Sequence, residues 1–80
     1  MITPGQCAAA RALLGWSQQT LCDNCAASLS AIRDFERGAH KPISRNLEAI
    51  QSALESAGIE FIAENGGGPG VRLRNGRLTR

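Results

Sequence analysis

Apolar residues recur along this chain first at helical spacing and then, towards its end, in alternation. Cys7, Ala10, Leu13 and Leu14 fall on one face of a helix. Ahead of them, Thr3-Pro4-Gly5-Gln6 has the form of a capping box, with proline at the first helical position and glutamine three residues after the threonine. The pattern predicts a first helix running to about Leu14 and stopped by Gly15 in a left-handed conformation. Ser17 caps a second, short helix over roughly 18–25, with Leu21, Cys22 and Cys25 turned inward. Ser28 caps a third that runs to Arg37 and ends at Gly38. Ile32 and Phe35 share its inner face, with Arg33 and Arg37 off that stripe. "AHKPIS" is a connection, because Pro42 disfavours helix immediately before it.

The clearest stripe follows. Leu47, Ile50, Leu54 and Ala57 recur at three- and four-residue steps and predict a fourth helix over about 45–57, capped by Ser44 and closed by Gly58. The period then changes. "IEFI" (59–62) and "VRLR" (71–74) are β-prone and flank the loop "AENGGGPG", which reads as a small hairpin. In "VRLR" apolar and basic residues alternate, so one face is expected to be buried and the other basic. The fold expected is mainly α, four helices over 1–58 with a β-hairpin extension over 59–74 and a fraying tail over 75–80.

Length and charge narrow this picture. Eighty residues allow one domain with a modest core, which a partner chain would help to stabilise. Three cysteines, an odd number without a secretory context, suggest reduced thiols in a cytoplasm. The opening residues lack a basic n-region and are interrupted by Pro4, Gln6 and Arg11, which makes them a poor signal peptide. No run approaches the ~18 apolar residues of a membrane span, so the expectation is a cytoplasmic protein with no membrane partner. Net charge is only +2, but Arg33, Arg37, Lys41 and Arg45 cluster in the middle of the chain. Arg72, Arg74, Arg77 and Arg80 crowd its end without an acid among them. Such segments either track phosphates or form solvated faces.

Two short helices joined by a tight turn, the second offering its N-terminal end to solvent, form a helix-turn-helix. The run "ARALLGWSQQTLCDNCAASLSAIRDFERGAHKP" resembles the phage-repressor (Cro/C1, or XRE) helix-turn-helix family over about residues 5–57. The "R-x-x-x-G-x-S-Q" entry, Leu21, Ser28, Ile32, Phe35-Glu36, Gly38 and Pro42 carry the likeness. It implies a phage-repressor-like domain that binds double-stranded DNA through its third helix, as a homodimer at an operator, with no cofactor, metal or catalysis. The DNA-facing set it implies is Ser17, Gln18, Gln19, Ser28, Leu29, Ser30, Ala31, Arg33, Asp34, Arg37, His40 and Lys41. Among these, Gln18 would touch backbone or base, Leu29, Ser30, Arg33 and Asp34 would face bases, and Arg37, His40 and Lys41 would reach phosphates. Arg11 and Glu36 occupy the family's interhelical ion pair.

The chain also departs from that pattern. Ala26 stands at the turn glycine, where a left-handed conformation would cost ~1 kcal/mol or more. Ser30 and Ala31 remove donors that longer side chains would offer, and Leu29 can give only apolar contact to a thymine methyl. Arg33 is the one strong base reader, so readout per half-site is modest and a dimer follows, through the fourth helix or the hairpin. The same features leave a second class open. Leu29 beside Ser30 and Ala31 would suit a protein-binding module, an antiactivator or antitoxin-like partner, or a contact with the transcription machinery.

Other motifs read more plainly. Cys22-x-x-Cys25 lacks the βαβ setting of a redox catalyst, and only Cys7 and His40 remain to complete a zinc site, so these cysteines are read as core. His40 has no orienting partner for nucleophilic catalysis. "NGGGPG" lacks the Lys-Ser/Thr pair of a phosphate loop. Trp16, between two helices and behind a cap, is read as core.

Overall fold

A single threonine hydroxyl starts the first helix. In the computed structural model, which describes residues 2–38, 43–63 and 66–74, helix α1 spans Pro4–Leu14 behind Thr3. Thr3 Oγ1 accepts from the Gln6 N–H at 3.1 Å, and Gln6 Oε1 accepts from the Thr3 N–H at 2.9 Å. Two of the helix's orphan donors are thereby satisfied. At the other end Gly15 takes φ 71°, and the Trp16 N–H reaches back to the Arg11 carbonyl at 2.9 Å. A Cβ in that conformation would be strained, which is why glycine ends the helix here.

Helix α2 spans Gln18–Asp23, with Ser17 Oγ accepting from the Thr20 N–H. It stops before the expected residue 25. The Asn24 N–H bonds the Leu21 carbonyl and the Cys25 N–H bonds the Cys22 carbonyl, at 3.0 and 3.3 Å, so the last turn tightens to three-residue closure. No non-glycine residue among those described has positive φ, so the chain rounds Ala26 without the left-handed penalty. Helix α3 spans Leu29–Arg37, capped by Ser28 and closed by Gly38 at φ 73°. Helix α4 spans Ser44–Ser56. Here the expected cap is displaced by one residue. Ile43 holds the extended N-cap position without a side-chain bond, because the Leu47 N–H takes the Ile43 carbonyl at 3.1 Å and draws Ser44 into the helix.

Strands β1 (Ile59–Ile62) and β2 (Gly70–Leu73) pair antiparallel, Ile59 opposite Leu73 and Phe61 opposite Val71. The second strand begins one residue earlier than expected, since Gly70 pairs with Ile62. The architecture is therefore mainly helical, four helices followed by a two-stranded hairpin. No helix among the described residues is long and apolar enough to cross a membrane.

Leu21, Ile32, Ile50, Leu54, Ile59 and Cys7 are fully buried and take one residue or more from every helix and the hairpin. Each large aliphatic among them contributes roughly 1.5–3 kcal/mol by leaving water. Leu13, expected inside, is 38% exposed. The buried stripe of α1 is Gln6, Cys7 and Ala10 with Leu14 packed beside it, and Leu13 sits at its margin. Gln6 is the buried polar residue of this core, and its Nε2 donates to the Ile62 and Gly70 carbonyls at 3.2 and 2.9 Å. One amide thus ties α1 to both strands.

Candidate nucleic-acid interface

The face in question is built where α1, α2 and α3 meet. Ile32 and Phe35 sink the inner side of α3 into the core, which fixes the helix's rotation and turns Ser30, Arg33 and Arg37 outward. Behind it, the Glu36 carboxylate gathers donors from three residues on two helices, Cys7 and Arg11 of α1 and Gln18 of α2. Arg11 Nε and Nη2 reach its two oxygens, each at 2.7 Å, in a bidentate fork. Gln18 Nε2 donates to Oε1 and the Cys7 thiol to Oε2, both at 3.1 Å. Arg11 Nη1 also holds the Trp16 carbonyl at 2.9 Å. The pair is largely enclosed, with side-chain exposures of 19% for Arg11 and 8% for Glu36.

Electrostatics follow from that enclosure. Burial alone would raise the Glu36 pKa, but hydrogen bonds from Arg11, Cys7 and Gln18 outweigh it and hold the carboxyl below its ordinary value. The same hydrogen bond raises Arg11 against its own desolvation. Burial, then the bond to Glu36, push the Cys7 thiol far up, so it stays protonated and donates. The negative charge of Glu36 is therefore answered inside the fold and does not face an approaching phosphate.

On the outer side, Gln18, Ser30, Arg33, Asp34 and Arg37 line one shallow polar groove of about 440 Å³. Gln18 stands at the first turn of α2, where its Nε2 is tied to Glu36 and its side chain borders that groove. Arg33 is exposed and makes no hydrogen bond or ion pair among the described residues. Arg37 Nη2 instead pairs with Asp34 Oδ1 at 2.8 Å, which reduces the repulsion that Asp34 offers an anion. Leu29 is half-buried at the helix start.

The remaining sequence-derived positions divide. Ser17 and Ser28 spend their acceptor oxygens on the Thr20 and Ala31 N–H groups, so their first duty is capping. Gln19 lies along α2, its Nε2 on Asp23 Oδ1 at 2.9 Å. Ala31 does not belong to the outer face. It packs against the core, because the turn that exposes Ser30 carries the next residue inward. His40 and Lys41 lie outside the described residues. Sequence reasoning missed the Gln18–Glu36 and Cys7–Glu36 bonds, which join residues 18 and 29 positions apart and leave no periodic trace.

Two further features flank this face. Cys22 and Cys25 both direct their thiols at the Ala27 carbonyl, at 3.6 and 3.8 Å. Trp16, partly buried against the core, borders a trench of about 510 Å³ between the α2–α3 turn and α4. No family model matches this chain, and no curated protein matches it either.

Proposed function

We propose that this chain is a sequence-specific DNA-binding transcriptional regulator, cytoplasmic, acting as a homodimer at an operator with α3 in the major groove. The observation that carries the reading is the groove lined by Gln18 at the start of α2 and by Ser30, Arg33, Asp34 and Arg37 along the exposed side of α3, the two helices being consecutive and individually capped. A helix about 10–12 Å across fits a major groove about 12 Å wide. Arg33, without a competing acid, is the side chain able to grip a guanine edge by two hydrogen bonds. Leu29 supplies apolar contact, and Gln18 and Arg37 face the sugar–phosphate rails.

Size supports the dimer. The described part of the molecule measures 32 × 30 × 18 Å. Half-sites one turn of the duplex apart lie about 34 Å from each other, a spacing comparable with the long dimension of one copy. Repression follows where such an operator overlaps a promoter.

Selection of genomic fragments on the immobilised chain, followed by binding to the enriched site at graded salt, tests this. The expected result is a two-fold related site with half-sites one turn apart. Arg33→Ala should lose about 1–3 kcal/mol and relax one base position in each half-site. Arg37→Ala should weaken all sequences alike and flatten the salt slope. No enriched sequence, or affinity unchanged in Arg33→Ala, overturns the reading. Recovery of a stoichiometric protein and no DNA from native extract would favour a protein-binding module on the same scaffold.

A further inference from the structure

Cys22 sits in the last turn of α2 and Cys25 just beyond its end. The Cys25 N–H donates to the Cys22 carbonyl at 3.3 Å, closing a four-residue turn. A turn of that kind holds its terminal Cα atoms within about 7 Å, the range a disulfide spans. The side chains agree with the backbone. Both sulfurs face one oxygen, that of Ala27, so they are rotated onto the same side of the turn. Both are half-buried, whereas the third thiol, Cys7, is sealed in the core and committed to Glu36.

We propose that Cys22 and Cys25 form a reversible dithiol–disulfide couple, oxidised by exchange with a low-molecular-weight disulfide of the glutathione type. The Cys22 thiolate attacks one sulfur of the small disulfide, forms a mixed disulfide and releases the first small thiol. The Cys25 thiolate then attacks the Cys22 sulfur, closes the intramolecular S–S bond and expels the second small thiol. Two protein S–H bonds are lost, their protons end on the two released thiols, and their electron pair reduces the small disulfide.

The setting fixes the character of this couple. It lies at the C-terminal end of a helix, where the dipole gives a thiolate no support. Burial raises the Cys25 thiol, which lowers its thiolate fraction further. The pair therefore receives oxidation slowly and is no catalyst of exchange, in keeping with the missing βαβ setting. Bridging withdraws both S–H donors from the Ala27 carbonyl, one residue ahead of the Ser28 cap of α3.

The test uses the full reduced chain, equilibrated with graded ratios of oxidised to reduced glutathione, natively and in concentrated guanidinium, then alkylated and weighed. The native chain is expected to lose two hydrogen masses, with peptide mapping placing the bridge at Cys22–Cys25 and leaving Cys7 to alkylate only on unfolding. Its equilibrium constant against glutathione should exceed that of the unfolded chain at least about tenfold, some 30 mV in potential. Cys25→Ser should stop at a glutathione adduct on Cys22. No loss of mass in excess oxidised glutathione, a bridge that includes Cys7, or equal constants in the two states would each overturn the proposal. No duplex enters this experiment, so its outcome is independent of the DNA-binding reading.

Discussion

Two carboxylates in this chain each meet an arginine, and the two regions use the same chemistry to different ends. At the foot of α3, Glu36 and Arg11 are enclosed, forked and joined by a thiol and an amide. On the outer face of the hairpin, Glu60 and Arg72 stand opposite one another across the strands at 3.1 Å, with side chains 44% and 63% exposed. In both, a hydrogen bond to arginine keeps the carboxyl below its ordinary value. Only in the first has water been removed, so only there does the loss of one partner leave a charge stranded. Burial, not distance, decides which ion pair holds the fold together.

Removing Glu36 is the hardest blow to that contrast. Glu36→Ala should cost about 3–5 kcal/mol, because it leaves the Arg11 guanidinium with a single carbonyl partner. Urea unfolding followed by Trp16 fluorescence measures it, and a cost under about 1 kcal/mol would place this pair with surface pairs. A double-mutant cycle with Arg11→Ala should return a large coupling, since the double variant strands neither charge.

Next in size is the hairpin's own anchor. Gln6→Leu withdraws the donor from the Ile62 and Gly70 carbonyls and should cost about 1–3 kcal/mol. An unchanged urea midpoint would show that the strands hold without it.

Acid and alkali should then find the same network from opposite sides. Glu36 titrates lower in the folded chain than the ~4.3 of an unfolded glutamate. Its contribution is therefore present above that value and lost as pH falls through the folded pKa. Cys7 is shifted up, so its contribution is complete below the ~8.5 of an unfolded thiol and declines as pH rises above it. The urea midpoint should be flat between these limits and fall beyond both. Glu36→Gln should shallow the acid limb and Cys7→Ala the alkaline one. An acid limb unmoved by Glu36→Gln would assign acid sensitivity to other carboxylates.

The smallest effect belongs to the exposed pair. Arg72→Ala should leave the urea midpoint in place at any salt concentration, because water and ions already screen that contact. A clear loss there would erase the distinction between the two regions.

Local physics was readable from the residues and distant physics was not. The capping box at Thr3, the hydroxyl caps at Ser17 and Ser28, and the stops at Gly15 and Gly38 depend on neighbours within one turn, and each element lies where its caps place it. The stripe Leu47, Ile50, Leu54 likewise turned up inside. Leu13 failed because periodicity gives a helix face and not its centre, and the hairpin, folding back from far along the chain, holds Gln6 on the buried side of that face, beside the expected Cys7 and Ala10. Ser44 failed for a related reason, the first turn of α4 being set by Leu47 reaching Ile43. Within the candidate site, Arg33 and Ser30 lie on the outer face that the α3 stripe implies. Ala31 does not, since a one-residue step of about 100° separates exposure from packing. The tie between Gln18 and Glu36 joins two helices through side chains alone, and no spacing rule encodes it.

The Gln6 side chain closes the chain's two distant ends on each other, spanning 56 and 64 positions to its acceptors while its oxygen still secures the Thr3 amide. Fraying at the amino-terminal helix and opening of the terminal ribbon are thus one cooperative event. In deuterated solvent, the Arg74 amide, which donates to the Gly58 carbonyl at 2.7 Å, should exchange with the same free energy as those in the first turn of α1, and both should be late to gain protection during refolding, since so wide a loop must close before either is secured.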